Sequence, residues 1–504
     1  MRDWLDALPD DVVRMRPVLS VHYAGALLIG GQVDGAEARL QDAERWLSAN
    51  QEVPEGPRGQ TAGMVVVDEG EFRRLPGAIA IYRAARDRIV GDAAGSIAHA
   101  RRAVGLIGGD DHLERGAATG LLALGYWSSG ELEAAHRSWG EAVTSLEKAG
   151  HVSDVLGCMI AMADIRIAQG RLREAMGTYE RGLRRASEQG ADVVRGSADM
   201  HVGIGEVFLE RGDLQAATRH LLRSSELGEL AGLEQNPYRW RVAMARLREA
   251  EGDLDAALDL LDEAGGVYAG GYFPDLRPIA ALKARTWISQ GRMDEADEWA
   301  REHGVTAGDD PSYLREFEHL TLARLLIVHE SSRDAVTFLE RLKSAAEHGE
   351  RTRSIIEILL LQALAHLALG DMPAALVRLR RAMILAEPEG HVQLFVGEGA
   401  RAAALIEAAA RHGIAPDYCR RLLASPVPAE VTMRPRQALV EPLSSREVDV
   451  LRLLATEIDG PGIARELVVS LSTIRSHTKS IYAKLGVHSR RAAVRRATEL
   501  DLLR

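Results

Sequence analysis

Two cysteines, Cys158 and Cys419, stand far apart in a chain of 504 residues, with no CxxC pair and no Cys/His cluster. A disulfide framework and a thiolate zinc site are both excluded, and a reducing compartment is expected. Lysine is almost as scarce: Lys148, Lys283, Lys343, Lys479 and Lys484 are all there are. None of them lies in a GxxxxGK[ST] loop, so the cradle of backbone amides and lysine that holds a nucleotide phosphate is missing. ATP hydrolysis and tight ATP binding are therefore not expected. HExxH and nucleophile-elbow patterns are absent too, and the sixteen histidines are scattered. These absences argue against an enzyme, a resident metal and a cofactor. The longest stretch without a charge, Pro17 to Val33, is too short and too polar to span a bilayer. The opening MRDWLDALPDD carries acids where a signal peptide needs a basic region. No membrane partner and a cytoplasmic location are expected.

What is present is the composition of a folded protein, 46% apolar and 27% charged. Its length calls for several domains or for a repeat array. The net charge of −11 is unevenly spread: residues 441 to 504 carry +3 and the remainder −14. Within that tail, Ser470 to Arg496 holds Arg475, Lys479, Lys484, Arg490, Arg491, Arg495 and Arg496 and no acid. A confined cationic surface on an acidic body suits contact with a polyanion, although a charge run is more often a solvated face.

A glycine followed two positions later by an apolar residue and five positions later by alanine recurs about every forty residues. It is seen at Gly130/Leu132/Ala135, Gly170/Leu172/Ala175, Gly212/Leu214/Ala217, Gly252/Leu254/Ala257, Gly291/Met293/Ala296 and Gly370/Met372/Ala375. Ala335 fills the one gap, with Glu330 in the glycine slot, and Gly31/Val33/Ala36 and Gly91/Ala93/Ser96 extend the series toward the N-terminus. Each unit reads as helix, turn, helix, the glycine capping the first helix in a left-handed conformation and the alanine letting the second approach closely. Stacked units form a continuous core and a concave face. The fold class expected is all-α: an α-solenoid over residues 1 to 423, a proline-rich linker over 424 to 442, and a small four-helix domain over 443 to 504.

In that last domain, Ser444 or Ser445 can cap a helix with Val448, Leu451, Leu454 and Ala455 inward and Glu447 in its first turn. A short helix follows with Ile463, Ala464 and Leu467, and then a third, capped by Ser470 and ended by Gly486, with Ile474, Ile481 and Leu485 buried. A fourth, opened by Ser489, has Val494, Ala497 and Leu500 inward. The third helix leaves Arg475, Ser476 and Lys479 on another face, the part of a recognition helix that enters the major groove. The tail LSSREVDVLRLLATEIDGPGIARELVVSLSTIRSHTKSIYAKLGVHSRRAAV resembles the LuxR-type helix-turn-helix domain over its full length. The resemblance implies double-stranded DNA as partner, a promoter operator bound by a homodimer. Arg475, Ser476 and Lys479 would then be base-facing, and Ser472, Thr473, Lys484 and Arg490 backbone contacts. His477 reads as a packing or hydrogen-bonding residue. The sequence departs from the family at Glu457 and at Pro461 and Gly462, which predicts a supporting helix that starts late or is loose.

The repeats resemble tetratricopeptide repeats, most clearly in AMADIRIAQGRLREAMGTYERGL (161 to 183). WLDALPDDVVRMRP, NPYRWRVAMARLREAEGDLDAALDLLDEA (236 to 264) and YLREFEHLTLARLL (313 to 326) are similar to the helical-repeat region of the large LuxR-type regulators related to the maltose-regulon activator. In that family an ATPase module precedes the repeats; none is found here, and a natural short form or a truncation is expected. These resemblances imply a transcription regulator whose repeats sense a small-molecule or protein effector, the alternative being an interaction scaffold whose tail no longer binds DNA. Aromatics Tyr238, Trp240, Tyr268, Tyr272 and Phe273 are interleaved with Arg239, Arg241, Arg277 and Arg285. Plates and cations of this kind suit a polar or anionic effector, which places its site at Tyr238, Arg239, Trp240, Arg241 and Arg277. The competing reading is that the aromatics pack between repeats and the arginines are solvated.

Overall fold

The computed structural model describes residues 4–5, 7–51, 64–188, 194–268, 273–425, 444–456, 458, 460–467, 469–485, 490, 493–494 and 497. Two compact units divide the chain, Met1–Glu430 and Val431–Arg504. The expected linker, 424 to 442, lies almost wholly outside the described residues, as do Gly486, Ser489 and Leu500.

In the first unit α1 (Asp10–Arg14) leads into nine helical hairpins. They are α2/α3 (Pro17–Ile29, Val33–Gln51), α4/α5 (Glu69–Ile89, Ala93–Leu106), α6/α7 (His112–Ser129, Leu132–Lys148), α8/α9 (Val152–Ala168, Leu172–Glu188) and α10/α11 (Ser197–Glu210, Leu214–Leu227). After these come α12/α13 (Asn236–Glu251, Leu254–Val267), α14/α15 (Ile279–Ser289, Met293–Glu302), α16/α17 (Glu316–Val328, Ser332–His348) and α18/α19 (Thr352–Ala368, Met372–Ala386). The unit ends with α20 (Gln393–Val396), α21 (Gly399–Arg411) and α22 (Pro416–Ala424).

Every hairpin turns at the residue the repeat singles out. Gly31, Gly91, Gly130, Gly170, Gly212, Gly252, Gly291 and Gly370 all have φ between 73° and 85°, and Glu330 in the glycine slot is held at 60°. The left-handed conformation costs a non-glycine residue roughly 1–2 kcal/mol, so Glu330 is strained by its place in the pattern. Four of the glycines are followed by aspartate, and Asp92, Asp213, Asp253 and Asp371 each accept the amide three residues on, at 2.8 to 3.2 Å. The small residue five positions after each turn, from Ala36 through Ser96 to Ala375, is completely buried. Helix pairs close on that contact, and beneath it the core forms successive clusters bridged by partly buried residues such as Phe208, Leu260 and Phe317.

The array also winds back on itself. Val392 N–H donates to the Glu210 carbonyl at 2.8 Å, Arg173 N–H to the Glu389 carboxylate at 2.9 Å, and Trp127 Nε1–H to the Tyr313 hydroxyl at 3.3 Å. A Cβ at Gly212 would lie 2.8 Å from Val392, and one at Gly130 3.1 Å from Tyr313. At these turns glycine answers two demands, the left-handed backbone and the passage of a chain about 180 residues away.

The second unit holds α23 (Ser445–Leu454), α24 (Gly460–Glu466) and α25 (Leu471–Leu485), with further helical residues at 490, 493, 494 and 497. Its core is Val450, Leu451, Leu454, Ile463, Ala464, Ile474, Ile481, Ala493 and Ala497. On α23 the inward stripe differs from the expected one: Val448 is half-buried and Ala455 exposed, while Glu447, Val450, Leu451 and Leu454 are buried. The cause is Glu447, whose carboxylate is drawn inward. α24 forms over Gly460–Glu466 with Pro461 in its first turn, where the amide that proline lacks has no helical partner anyway.

Candidate nucleic-acid interface and the inner face of the repeats

The Ser444 hydroxyl accepts the Glu447 N–H, and the Glu447 carboxylate accepts the Ser444 N–H at 2.7 Å, a complete capping box that fixes the start of α23. The same carboxylate accepts from the Ser480 hydroxyl at 2.6 Å and pairs with Lys484 Nζ at 3.0 Å. Glu447 thus ties the first helix of the domain to the third. Burial works against its charge, but the bonds from Ser480, Ser444 and Lys484 prevail and hold its pKa down at about 2.

On α25, Ile474 and Ile481 anchor the helix in the core, and Ser472, Ser476 and Lys479 are exposed on the opposite side. These three follow one another at steps of four and three, so they share a face. Position 475 falls on that face by the same spacing; the Arg475 side chain lies outside the described residues. At the helix start the Ser470 hydroxyl accepts the Thr473 N–H at 3.1 Å and lies 2.7 Å from both the Ser472 and Thr473 hydroxyls. The result is a cluster of three hydroxyls at the N-terminal end of α25, where hydroxyl donors and the positive end of the helix dipole suit phosphate. His477 is half-buried. Lys484 and Arg490, expected as backbone contacts, are committed within the domain. Lys484 pairs with Glu447, and Arg490 donates to the carbonyls of Leu454 at 2.9 Å and Thr456 at 2.6 Å.

In the repeats, Arg239 donates to Asp164 at 2.7 and 3.3 Å, and Trp240 Nε1–H donates to the Leu221 carbonyl at 2.8 Å. Arg241 bonds Glu263 at 3.2 Å and the Pro237 carbonyl at 3.0 Å. Successive residues of a helix point about 100° apart, so this run surrounds α12 rather than converging on one ligand. Arg239, Trp240 and Arg241 thus each hold a partner within the repeats. Tyr238 packs against Tyr268 with centroids 4.9 Å apart and rings tilted at 50°, and its hydroxyl has no hydrogen-bond partner among the described residues. Phe273 packs against Trp127 and Trp139, at 5.5 and 6.3 Å, which carries the connection after α13 inward across the coil. Tyr272 lies outside the described residues.

The inner face is marked by residues that the aromatic pattern missed. The sixth residue before the turn is charged in five consecutive hairpins, Asp164, Glu206, Arg246, Arg285 and Arg324, and all five are half-buried. Arg246 binds Glu206 at 2.8 Å and Glu210 at 3.1 Å; Arg285 and Arg324 bind Glu357 at 3.0 and 2.9 Å. Arg353 reaches Glu357 at 3.2 Å and, across the coil, Glu210 at 3.5 Å. Burial opposes the charge of Glu210 and Glu357, yet the surrounding arginines hold both carboxyls well below the usual range. Burial and the neighbouring Arg324 bring Arg285 down to about 9, and its guanidinium lies 3.6 Å above the Phe317 ring. That charged column was legible as a repeat position, whereas its pairing was not. Among the described residues no cluster of His, Cys, Asp and Glu is placed to hold a metal, and no helix is long and apolar enough to cross a membrane.

Residues 77–412 match the family described as the MalT-like TPR region, and residues 441–497 match the bacterial regulatory proteins of the luxR family. Among solved structures, the chain is similar to a Rap protein complexed with competence and sporulation factor. The two are 12% identical with a TM-score of 0.50, covering 74% of this chain and 98% of that one. Also similar is the apo form of the quorum sensor NprR from B. thuringiensis, 13% identical with a TM-score of 0.39, covering 76% and 90%. A signal transduction ATPase with a tetratricopeptide repeat sensor from Pyrococcus horikoshii is 12% identical with a TM-score of 0.37, covering 71% and 52%. At these identities the likeness is one of fold.

Proposed function

The chain belongs to the family of the MalT-like TPR region and is a LuxR-type, DNA-binding transcription regulator, and from that premise we propose how it reads DNA and how it is controlled. α25 lies in the major groove of a promoter operator, with Arg475, Ser476 and Lys479 toward base edges and Ser472 and Thr473 on phosphate. The observation that carries this reading is the exposed Ser472, Ser476 and Lys479 face of a helix whose other side is fixed by Ile474 and Ile481. A domain of this size covers one half-site, so two copies bind sites related by two-fold symmetry. Lys484 and Arg490 serve the domain's own structure first, and any contact they make with phosphate is secondary.

An effector held on the inner face of the repeats controls DNA binding. The half-buried charged column supports that placement, and so does the Rap protein of similar fold, which was solved with a bound factor. Bound fragments selected from genomic DNA with the intact chain, then measured by fluorescence anisotropy across a salt series, test the DNA reading. A defined site bound about 10³-fold or more tighter than random DNA is expected. Equal affinity for all sequences would reduce the tail to a cationic patch.

A further inference from the structure

Arg277 differs from every other arginine of the inner face described above. It sits between α13 and α14 on the connection that Phe273 and Leu276 pin against the core of the earlier hairpins, so it is carried to the interior of the coil. Its side chain is half-buried, and among the described residues no carboxylate lies within 4.0 Å of the guanidinium and no acceptor takes the guanidinium N–H groups, while the backbone N–H donates to the Asp275 carboxylate. The carboxylates that its charge does feel, Glu206 and Glu210, are already engaged by Arg246 and Arg353. Counted over this part of the face, five guanidinia (Arg246, Arg277, Arg285, Arg324 and Arg353) meet four carboxylates (Glu206, Glu210, Glu357 and Glu398). Two further acids, Glu249 and Asp275, are pushed toward their neutral forms by burial. Burial, and then Arg353 and Arg246, lower Arg277 to about 10, which still leaves it protonated at neutral pH.

A half-buried guanidinium without a protein carboxylate is open to one brought by a ligand. Two phenols share its surroundings. Tyr238, whose hydroxyl is unpartnered, and Tyr313, whose hydroxyl accepts from Trp127 and keeps its own proton to donate, both feel the charge of Arg277. Trp127 and Phe273, packed on each other, add an apolar wall. We infer that Arg277 is the anchor for one carboxylate of the effector, with Tyr238 and Tyr313 as additional donors and the Trp127–Phe273 pair against the effector's apolar body. A phosphate monoester suits the place less well, since it brings close to two negative charges beside Glu206 and Glu210 where the surplus is one. The inference rests on the reading of the inner face as the effector site.

The test uses the intact chain and two sets of probes: short apolar peptides with a free C-terminal carboxylate, each paired with its C-terminal amide, and a panel of aromatic and aliphatic monocarboxylic acids with their amides. Binding is read by calorimetry and thermal shift. At least one acid should bind, its amide should bind tenfold or more weakly, and Arg277→Met should lose tenfold or more, while Arg223→Ala, at an exposed arginine paired with Glu226 on its own helix, binds as the wild type does. Which set binds decides between a peptide and a simple organic acid as the source of the carboxylate. Acids and amides bound alike, undiminished binding by Arg277→Met, or no acid bound at all would overturn the assignment. A ligand-free arm is independent of the probes: removing an unpaired, half-buried charge should leave the melting temperature of Arg277→Met unchanged or raise it by about 1–3 °C. A fall as large as that of Arg353→Met would make Arg277 a structural residue and sink the proposal. Operator binding by the wild-type chain, measured alongside, separates this outcome from failure of the DNA reading, because neither result depends on the other.

Discussion

Residues of one charge and one helix carry different duties in the C-terminal unit. Lys479 is exposed on the face of α25 turned away from the core, whereas Lys484, five residues on, is mostly buried against Glu447. Arg475→Ala should cost on the order of 1–3 kcal/mol at the operator and relax preference at one base position, as loss of a bidentate base contact does. Lys484→Ala should instead lower the stability of the domain, weakening binding to all sequences alike; anisotropy on operator and random DNA separates the two. Glu447 adds a pH dependence of known sign. Its folded pKa of about 2 lies below the ordinary 4.5, so its contribution is complete above pH 4.5 and is lost as pH falls from there toward 2. Hydrogen exchange of the 471–485 segment in the intact chain should therefore accelerate through that window, and Glu447→Gln should flatten the dependence while exchanging faster at neutral pH. Glu447 was legible from sequence as a first-turn acid and capping partner. Its reach to Ser480 and Lys484 was not, because that contact depends on how α23 and α25 cross, which no local pattern encodes.

At the scale of the element, the hairpin is a local object and its sequence signature is correspondingly plain. The left-handed turn residue and the buried small residue five positions on lie within six residues, so a local pattern marks all nine hairpins, including the one that turns at Glu330, and a capping aspartate reinforces it in four. Glu330→Gly should relieve a left-handed penalty of roughly 1–2 kcal/mol, less the 0.5–1 kcal/mol of chain entropy that glycine adds, and so stabilise the protein slightly. Replacing turn glycines should be costly to different degrees. Gly291→Ala meets nothing within 4 Å and loses only the backbone preference, about 1 kcal/mol, while Gly212→Ala also drives a Cβ to 2.8 Å from Val392. Thermal unfolding should rank Glu330→Gly above wild type, then Gly291→Ala, then Gly212→Ala. An equal loss for the two glycine variants would show that the approach of Val392 relaxes without cost.

Across the whole first unit, the return of the array on itself decides how stability is distributed. An open solenoid is held by nearest neighbours only, and its stability is close to a sum of repeats. Here Glu210 at the end of α10 meets Arg353 at the start of α18, Val392 bonds the Glu210 carbonyl, and Trp127 bonds Tyr313, so hairpins far apart in sequence are joined directly. None of this was readable from a forty-residue period, because a period fixes the step from one hairpin to the next and leaves unspecified where a full turn of the coil returns. The partners of Arg239 and Trp240, Asp164 and Leu221, come from preceding hairpins and were hidden from the sequence for the same reason. Glu210 and Arg353 give the closing test. Glu210→Gln leaves Arg246 and Arg353 short of a partner, and Arg353→Met leaves Glu210 and Glu357 with one cation fewer; breaking a buried pair from one side costs about 3–5 kcal/mol. If the coil contact is a true energetic link, the double variant should fall short of the summed losses by about 0.5–3 kcal/mol. Urea unfolding of each single variant should also broaden into two steps, as hairpins on either side of the contact part company. Strict additivity with a single sharp transition in every variant would mean that the array unfolds as an open solenoid does, with the return contact a consequence of curvature and not a support of it.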